Sequence, residues 1–367
     1  MREDRLAAAI DALLGDLVGS GREVGVQVAV IRHGHTLVHA ARGASDPRTG
    51  APVDLDTLFW AGSTAKAVAS SVAHVLIERG EVTDDLRVVD VWPEFGARGK
   101  DAVTLRHVLL HTAGVPGLPP GTTAADLCDW DRMCAVIADA ELWWEPGTRL
   151  GYHAKTFGFL VGEILRRATG DTISTLLRER LTGPLDVADQ VHFGVPARLL
   201  PRVARQVAAD GNEPPRPEPG SPLDRAMPAG VVPDAEYANR PNLLTCDIPS
   251  EGTMSALGAA RIYSALLGHV DGVELVSPAR RAAMATVAFT GMDEVMGFPT
   301  SWAYGYSPAR PSGRGTPGSV FGMVGMNGSA AYADINSGVA VAVMRNRFTA
   351  DLTTIERIDR LIEDELS

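Results

Sequence analysis

Cysteine is scarce in this chain of 367 residues, which contains only three: Cys128, Cys134 and Cys246. An odd number of cysteines without a Cys-x-x-Cys pair indicates neither a disulfide framework nor a zinc site. We therefore expect reduced thiols, as is usual for proteins of the cytoplasm.

The chain also lacks a long hydrophobic run and an excess of basic residues. Its net charge of −11 and pI near 5.3 argue against nucleic acid or an anionic membrane as a partner, because both attract a basic surface. No stretch approaches the ~18 apolar residues of a membrane span. The N-terminal apolar stretch is interrupted by Asp11 and Asp16, which predicts an amphipathic helix of a cytoplasmic protein rather than a secretory signal. The apolar face of that helix comprises Leu6, Ile10, Leu13, Leu14 and Leu17.

Several cofactor and catalytic motifs are missing as well. The sequence contains no G-x-x-x-x-G-K-[ST] and no G-x-G-x-x-G, so nucleotide binding lacks support, and no G-x-S-x-G turn of the α/β-hydrolases. His107 and His111 lie four residues apart on a predicted helix, but the glutamate of H-E-x-x-H is absent. We interpret them as structural, and we predict neither a cofactor nor a metal ion.

The order of predicted elements is strands first, helices in the middle and strands last. Alternating valines in residues 24–30 predict a strand, and a turn at residues 32–34 leads into a second one. If both groups of strands belong to one sheet, the middle of the chain is a helical insertion into an α/β domain. We therefore expect a discontinuous sheet domain of residues 1–66 plus 251–367, a mainly helical domain of residues 67–250, and the active site between them.

Residues 212–242 form a segment that is rich in proline and short of apolar residues at helical spacing. Segments of this length without secondary structure are usually lids or disordered segments. Two interpretations stay open: the segment covers the substrate, or it is a plain excursion on the surface.

The first segment that points to chemistry is Ala61-Gly62-Ser63-Thr64-Ala65-Lys66. A serine hydroxyl needs a nearby base to act as a nucleophile at neutral pH. If Ser63 opens a helix, Lys66 lies one turn along on the same face. Burial or neighbouring cations would have to lower the pKa of the lysine for it to act as a base; otherwise it stays charged and organises another base. The alternative is a helix-capping serine with an exposed lysine.

Two further segments could complete such a site. Tyr152-His153-Ala154 precedes a strongly helical run, and a phenol can relay a proton to or from Ser63 if a cation such as Lys66 stabilises its phenolate. Residues 321–329 read Phe-Gly-Met-Val-Gly-Met-Asn-Gly-Ser, and a glycine-bearing strand edge could present an N–H to a developing oxyanion. Each also has a purely structural interpretation, as an ordinary amphipathic tyrosine and as a bulged strand.

The order of these three segments resembles the serine β-lactamase and penicillin-binding-protein superfamily, and most closely its class C-like branch of esterases, peptidases and transacylases. The likeness runs from about residue 20 to about residue 350 and includes VTLRHVLLHTAGVPGL and GTMSALGAARIYSALL. It implies an α/β (α+β) fold, with an antiparallel sheet flanked by helices and a large, mainly helical insertion. It also implies Ser63 as the nucleophile, Lys66 as its general base or charge organiser, and Tyr152 as the proton relay. The oxyanion hole would be formed by the backbone N–H groups of Ser63 and Met326.

Two positions depart from the family pattern. Where β-lactamases commonly have Asn in the second motif, this chain has Ala154, so the amide that grips the acylamino group of a β-lactam or a peptidoglycan stem is absent. Where the third motif usually starts with Lys or His, this chain has Met323, so the group that helps to hold a substrate carboxylate or polarise Tyr152 is missing. Both departures argue against antibiotic resistance and cell-wall synthesis, and they leave acyl transfer from an ester intact.

We therefore expect an enzyme that cleaves a small-molecule ester through an acyl-enzyme. Water as the acceptor makes it an esterase, whereas an amine or alcohol acceptor makes it a transacylase of specialised metabolism, and both stay open. The alternative from another class of function is a catalytically inactive module that binds a ligand. The residues predicted to contact the substrate are His153, Met323, Gly325 and Trp302.

Overall fold

The computed structural model describes residues 2–209, 211–314 and 316–366, with side chains from Arg5 onward; the outer ends of the predicted sheet domain, residues 1 and 367, lie outside these ranges. The strands are β1 Gly25–Arg32, β2 His35–Asp46, β3 Ala51–Pro52, β4 Phe59–Trp60, β5 Val191–His192, β6 Val207–Ala208, β7 Thr253–Met254, β8 Phe289–Met292, β9 Pro299–Trp302, β10 Val320–Val324, β11 Ala330–Asp334, β12 Val339–Arg345 and β13 Arg347–Phe348.

The helices are α1 Arg2–Gly19, α2 Thr64–Glu78, α3 Val88–Val91, α4 Leu105–Leu109, α5 Trp130–Asp139, α6 Thr156–Thr169, α7 Ile173–Leu176, α8 Pro222–Ala226, α9 Pro241–Leu244, α10 Ala256–Leu266, α11 Pro278–Ala285 and α12 Thr353–Leu366. Short 3₁₀ turns cover Pro93–Gly99, Asp126–Cys128, Ala197–Arg202, Ala229–Val231 and Tyr237–Asn239, and Leu177–Thr182 forms a π-helical turn.

The main sheet joins the two ends of the chain. Its six strands run in the order β10-β11-β12-β1-β2-β3, and every neighbouring pair is antiparallel. The central pair is β1 with β12, in which Val28 lies opposite Val343. The fold class expected from the resemblance is thereby confirmed.

Period-two alternation separates the two faces of this sheet. Alternate valines of β1 and β12 pack against the amphipathic helices α1 and α12, and the apolar face predicted for α1 is buried there. The opposite face carries small side chains and packs against α10. Alternate side chains of a strand point to opposite faces, so valine on one side and alanine on the other let helices cover both. The alanines in question are Ala29, Ala331, Ala333, Ala340 and Ala342.

Helix α2 connects the sheet to the helical part of the chain. All its residues from Thr64 to Ile77 are buried, and it packs against α6 and β10. Residues 67–250 contain most of the helices, while the six-stranded sheet draws its strands from before residue 53 and after residue 319. The division into two domains at residues 66 and 251 remains a proposal. Among the described residues, no helix is both long enough and apolar enough to span a bilayer.

One expectation about the cysteines is wrong. Cys128 and Cys246 form a disulfide, with Cα atoms 5.2 Å apart, whereas Cys134 is a free, buried thiol. The two partners are 118 residues apart in sequence. Only the packing of the Asp126–Cys128 turn against α9 brings them together, so the spacing of three cysteines gives no signal of it.

Candidate active site

Ser63 directly precedes α2 and follows Gly62, whose φ of 52° is left-handed. A serine at this position usually caps its helix by accepting a hydrogen bond from an N–H of the first turn. Within the described residues the Ser63 side chain makes no such bond; its Oγ accepts a 3.0 Å hydrogen bond from Nζ of Lys66. The capping interpretation is therefore wrong, and the hydroxyl is held by the lysine one turn along.

Lys66 is buried, with 1% of its surface exposed, so the alternative of an exposed lysine is also wrong. Its Nζ donates a second hydrogen bond, of 2.9 Å, to the backbone oxygen of Ser250. Burial lowers the pKa of Lys66 to about 7, and the charge of Glu251 opposes that fall. A substantial fraction of this amine is therefore unprotonated at neutral pH and able to accept a proton.

Tyr152 lies in the segment before α6, with its ring centroid 5.1 Å from Nζ of Lys66. The ring stacks on Trp302 at 5.9 Å, and the backbone N–H of Tyr152 donates to Oδ1 of Asp293 over 3.0 Å. Burial raises the pKa of the phenol, and a hydrogen bond with Ser63 opposes the rise. The phenol is thus protonated at neutral pH and close to both Ser63 and Lys66.

The end of β10 lies against the residues that precede Ser63. A Cβ at Gly325 would come within 2.4 Å of the backbone oxygen of Ala61, so only glycine permits this approach. Thr64 Oγ1 donates to the Ser329 backbone oxygen over 3.1 Å and secures the contact. Among the described residues none accepts a hydrogen bond from the N–H of Ser63 or of Met326. Both donors are available for a ligand oxygen.

A cavity of about 510 Å³ opens over Ser63 and Lys66. Its wall is mainly apolar and includes Trp60, Ala154, Met296, Phe298, Trp302, Met323, Val324, Met326 and Leu352. The proline-rich segment 212–242 contributes Pro214, Pro215, Leu223, Met227 and Pro233. It forms one side of the cavity, which favours the substrate-covering interpretation over a plain surface excursion.

Three of the four predicted substrate contacts, Met323, Gly325 and Trp302, line this cavity, but His153 does not. His153 is fully buried: Nε2 accepts a hydrogen bond from the N–H of Val115 at 3.1 Å, and Nδ1 lies 2.7 Å from the oxygen of Gly151. The prediction for His153 is wrong because the backbone turns tightly at this residue, with the N–H of Ala154 donating to the oxygen of Tyr152 over 3.0 Å, and its side chain is directed away from the cavity. Tyr152 and Ala154 face the cavity, and the residue between them faces the interior.

His111 supports the site from behind. Its ring centroid lies 4.9 Å from that of Tyr152 and 4.4 Å from that of Trp302, and its Nδ1 accepts the N–H of His153 at 3.0 Å. Burial lowers the pKa of His111 well below its usual value, so the ring is neutral. Within the described ranges no group of three or more His, Cys, Asp or Glu side chains is arranged to hold a metal ion.

Sequence reasoning missed a charged cluster formed by Lys155, Glu251 and the phenol of Tyr237, of which Lys155 and Glu251 line the cavity. Nζ of Lys155 donates to Oε1 of Glu251, and the Tyr237 hydroxyl donates to the same oxygen over 3.1 Å. The chain has only three lysines, and all three, Lys66, Lys100 and Lys155, are buried. The rarity of lysine beside 31 arginines was the one signal in the sequence that could have drawn attention to Lys155.

A lysine amine hydrogen-bonded to a serine hydroxyl, in a mainly apolar cavity, can take the hydroxyl proton as the oxygen attacks a carbonyl carbon. That chemistry characterises serine enzymes that work through a covalent acyl intermediate. Residues 10–363 of the chain match the Beta-lactamase family. The chain therefore belongs to this family, as its three motifs predict.

Two curated relatives are similar over almost the whole chain. The esterase/beta-lactamase LipL of Mycobacterium tuberculosis is 32% identical, over 95% of this chain and 83% of its own length. The esterase EstB of Burkholderia gladioli is 27% identical, over 93% of this chain and 90% of its own length. Among solved structures, a family VIII carboxylesterase superposes with a TM-score of 0.88 at 28% identity and covers 97% of both chains.

Proposed function

We propose that this protein is a serine esterase that cleaves small, uncharged, apolar esters through an acyl-enzyme at Ser63. The observation that carries the proposal is the 3.0 Å hydrogen bond from Nζ of Lys66 to Oγ of Ser63, in a site whose burial lowers the pKa of the lysine to about 7. The similarity to LipL, EstB and the family VIII carboxylesterase, which are named as esterases, supports ester cleavage.

In the proposed acylation step, Oγ of Ser63 attacks the ester carbonyl carbon while its proton passes to Nζ of Lys66. Negative charge develops on the carbonyl oxygen, to which the N–H groups of Ser63 and Met326 donate. When the carbon–oxygen bond breaks, the alcohol leaves with a proton that Lys66 returns through the hydroxyl of Tyr152. The acyl group is then an ester of Ser63, and Lys66 is again unprotonated.

Deacylation repeats these steps with a new nucleophile. Water, deprotonated through the same pair of groups, attacks the acyl carbon and releases a carboxylic acid and free Ser63. An amine or alcohol held in the cavity would take the acyl group instead, because a positioned acceptor has a large effective concentration. The buried thioether of Met323 beside the acyl site supports this second outcome, since it offers water no polar partner. Transfer is therefore the second candidate function.

The substrate class follows from the cavity wall. Among the described lining residues the cationic side chains are Lys66, which serves Ser63, and Lys155, which is paired with Glu251. Met323 supplies no cation for a substrate carboxylate, and Ala154 supplies no amide for an acylamino group. We therefore expect neutral esters with an apolar acyl group to react faster than anionic esters or β-lactams.

The test measures the hydrolysis rates of a panel of p-nitrophenyl esters and then the intact mass of the protein after reaction with each ester. Wild-type protein should gain the mass of one acyl group, and Ser63→Ala should gain none and retain only about 10³–10⁴-fold catalysis over water. Ser301→Ala, which removes a hydroxyl that pairs with Thr290 at an exposed position, is the matched control and should behave as wild type. Labelling of Ser63 by a fluorophosphonate separates an enzyme from an inactive binding module, and an unlabelled native protein would favour the module.

A location in the cytoplasm is also a proposal. The disulfide between Cys128 and Cys246 favours an oxidising compartment instead. The test is alkylation of the protein in extracts of the cells that make it, denatured without reductant. Alkylation of both Cys128 and Cys246 would support the cytoplasm, and failure of both thiols to react would contradict it.

A further inference from the structure

The cluster formed by Lys155, Glu251 and Tyr237 is buried beside the reacting groups. Lys155 is 2% exposed and Glu251 7% exposed, and both line the same cavity as Ser63 and Lys66. Nζ of Lys155 also donates to the Tyr237 hydroxyl over 3.3 Å and lies 4.8 Å from the centroid of its ring. A buried pair of opposite charges is costly to desolvate and adds little stability compared with apolar packing. A role in stability alone therefore does not explain this pair.

This cluster is connected to Lys66 through the backbone of one residue. Nζ of Lys66 donates to the oxygen of Ser250, which immediately precedes Glu251 in the chain. Oγ of Ser250 in turn donates to the backbone oxygen of Lys155 over 2.6 Å and accepts the N–H of Gly158 at 2.8 Å. The carbonyl that holds Lys66 is thus fixed between the backbones of the two charged residues.

The groups that face Lys66 carry opposing electrostatic effects. Glu251 favours the ammonium form of Lys66. Burial lowers the pKa of Lys155, its contact with Glu251 opposes that fall, and the like charge of Lys66 adds to it. Tyr152 and His111 are neutral when Lys66 titrates, and Asp293 is directed to the backbone of Tyr152. Because Lys66, Lys155 and Glu251 are buried, an unpaired charge of the cluster would act strongly on Lys66, whereas the paired charges oppose each other and leave a smaller net effect.

We propose that Lys155 and Glu251 are positioning residues that act as a charge-balanced pair to set the protonation state of Lys66 and hence the pH range in which Ser63 is activated. The inference rests on the proposed function, because it assigns the pair a role in activating Ser63. Tyr237 fixes the carboxylate through its hydrogen bond to Oε1.

The test is the rate at which a fluorophosphonate phosphonylates Ser63, with loss of fluoride, as a function of pH, and intact mass measures the extent of labelling. Lys155→Gln leaves Glu251 without its counter-ion, so the midpoint of the acid limb should move to higher pH by about one unit. Glu251→Gln leaves Lys155 unbalanced and should move the midpoint to lower pH by about one unit. The double variant should return to within about 0.3 unit of wild type, which a merely structural role of the pair does not predict.

Lys100→Gln is the matched control, because this third buried lysine donates to the backbone oxygens of Ala97, Ala138 and Ala140 instead of lining the cavity. Its midpoint should equal that of the wild type. If a Gln variant does not fold, Lys155→Met and Glu251→Met replace it with the same expected displacements. Midpoints that stay fixed or move in the same direction, while Ser63 is still labelled, overturn this inference alone. Absence of labelling in wild-type protein overturns the proposed function instead.

Discussion

Gly325 and Ala61 meet backbone to backbone, so that a Cβ at Gly325 would lie 2.4 Å from the oxygen of Ala61. This contact sets the separation between the N–H groups of Ser63 and Met326, which we propose as the oxyanion hole. A side chain at position 325 must push the end of β10 away from the start of α2.

We therefore expect Gly325→Ala to slow acylation of Ser63 by about 10²–10³, the loss seen when one oxyanion donor is removed. Stopped-flow measurement of p-nitrophenol release gives the rate. Gly121→Ala is the control, because a Cβ there meets nothing within 4 Å and the position is exposed. An acylation rate in Gly325→Ala within threefold of wild type would contradict an oxyanion hole at Met326.

Lys66 and Tyr152 should behave as one proton path. Lys66→Met and Tyr152→Phe should each slow acylation by about 10²–10⁴, and the double variant should be hardly slower than the worse of the two. Rates from single-turnover experiments with a chromogenic ester test this. Losses that multiply in the double variant would show that the two groups act independently.

Acylation should depend on pH with a midpoint near 7, the pKa of Lys66. Lys66 must be unprotonated to accept the serine proton, so the rate should fall about tenfold per unit below that pH and reach a plateau above it. Burial has lowered this pKa, so the limb lies on the acid side of the usual lysine range. A rate that rises only above pH 9 would mean that Lys66 stays charged and that another group is the base.

Met323→His should shorten the life of the acyl-enzyme, because an imidazole can orient water beside the acyl carbon. Wild-type protein should show a burst of p-nitrophenol, slow hydrolysis, and faster release when an amine or alcohol is added. Met292→His is the control, since this methionine is 55% exposed and lies outside the cavity wall. Transfer would be contradicted if hydrolysis shows no burst, if no acceptor accelerates it, and if Met323→His leaves its rate unchanged. The protein would then act as an esterase only.

The disulfide should contribute stability by constraining the unfolded chain between Cys128 and Cys246. Because 118 residues separate its ends, Cys246→Ser should lower the free energy of unfolding by about 2–5 kcal/mol. Urea titration with and without reductant measures this: wild type should lose stability on reduction, and Cys246→Ser should not respond. A wild-type stability that reductant leaves unchanged would contradict the bond.

Much of the site could be predicted because the three motifs carry local signals. The three-residue offset of Ser63 and Lys66 and the glycines of β10 depend on the geometry of one helix and one strand. The charged cluster could not be predicted, because Lys155 and Glu251 come from segments that only the tertiary fold brings together. His153 was misjudged for a related reason: its neighbours define the motif, but the direction of its side chain depends on the backbone between Gly151 and Ala154.

The burial of Lys66, Lys100 and Lys155 also determines how the folded protein responds to reagents. Among the side chains that the structure describes, the solvent-facing cations are guanidinium groups, which do not react with succinimidyl esters or glutaraldehyde under mild conditions. Amine-directed coupling to a resin or a dye would therefore reach the lysines of the folded chain only through the cavity or after opening of the fold. Acylation of Lys100, which does not line the cavity, would then report on opening of the fold, and carboxyl-directed coupling is a route for attaching the native enzyme through side chains that face solvent.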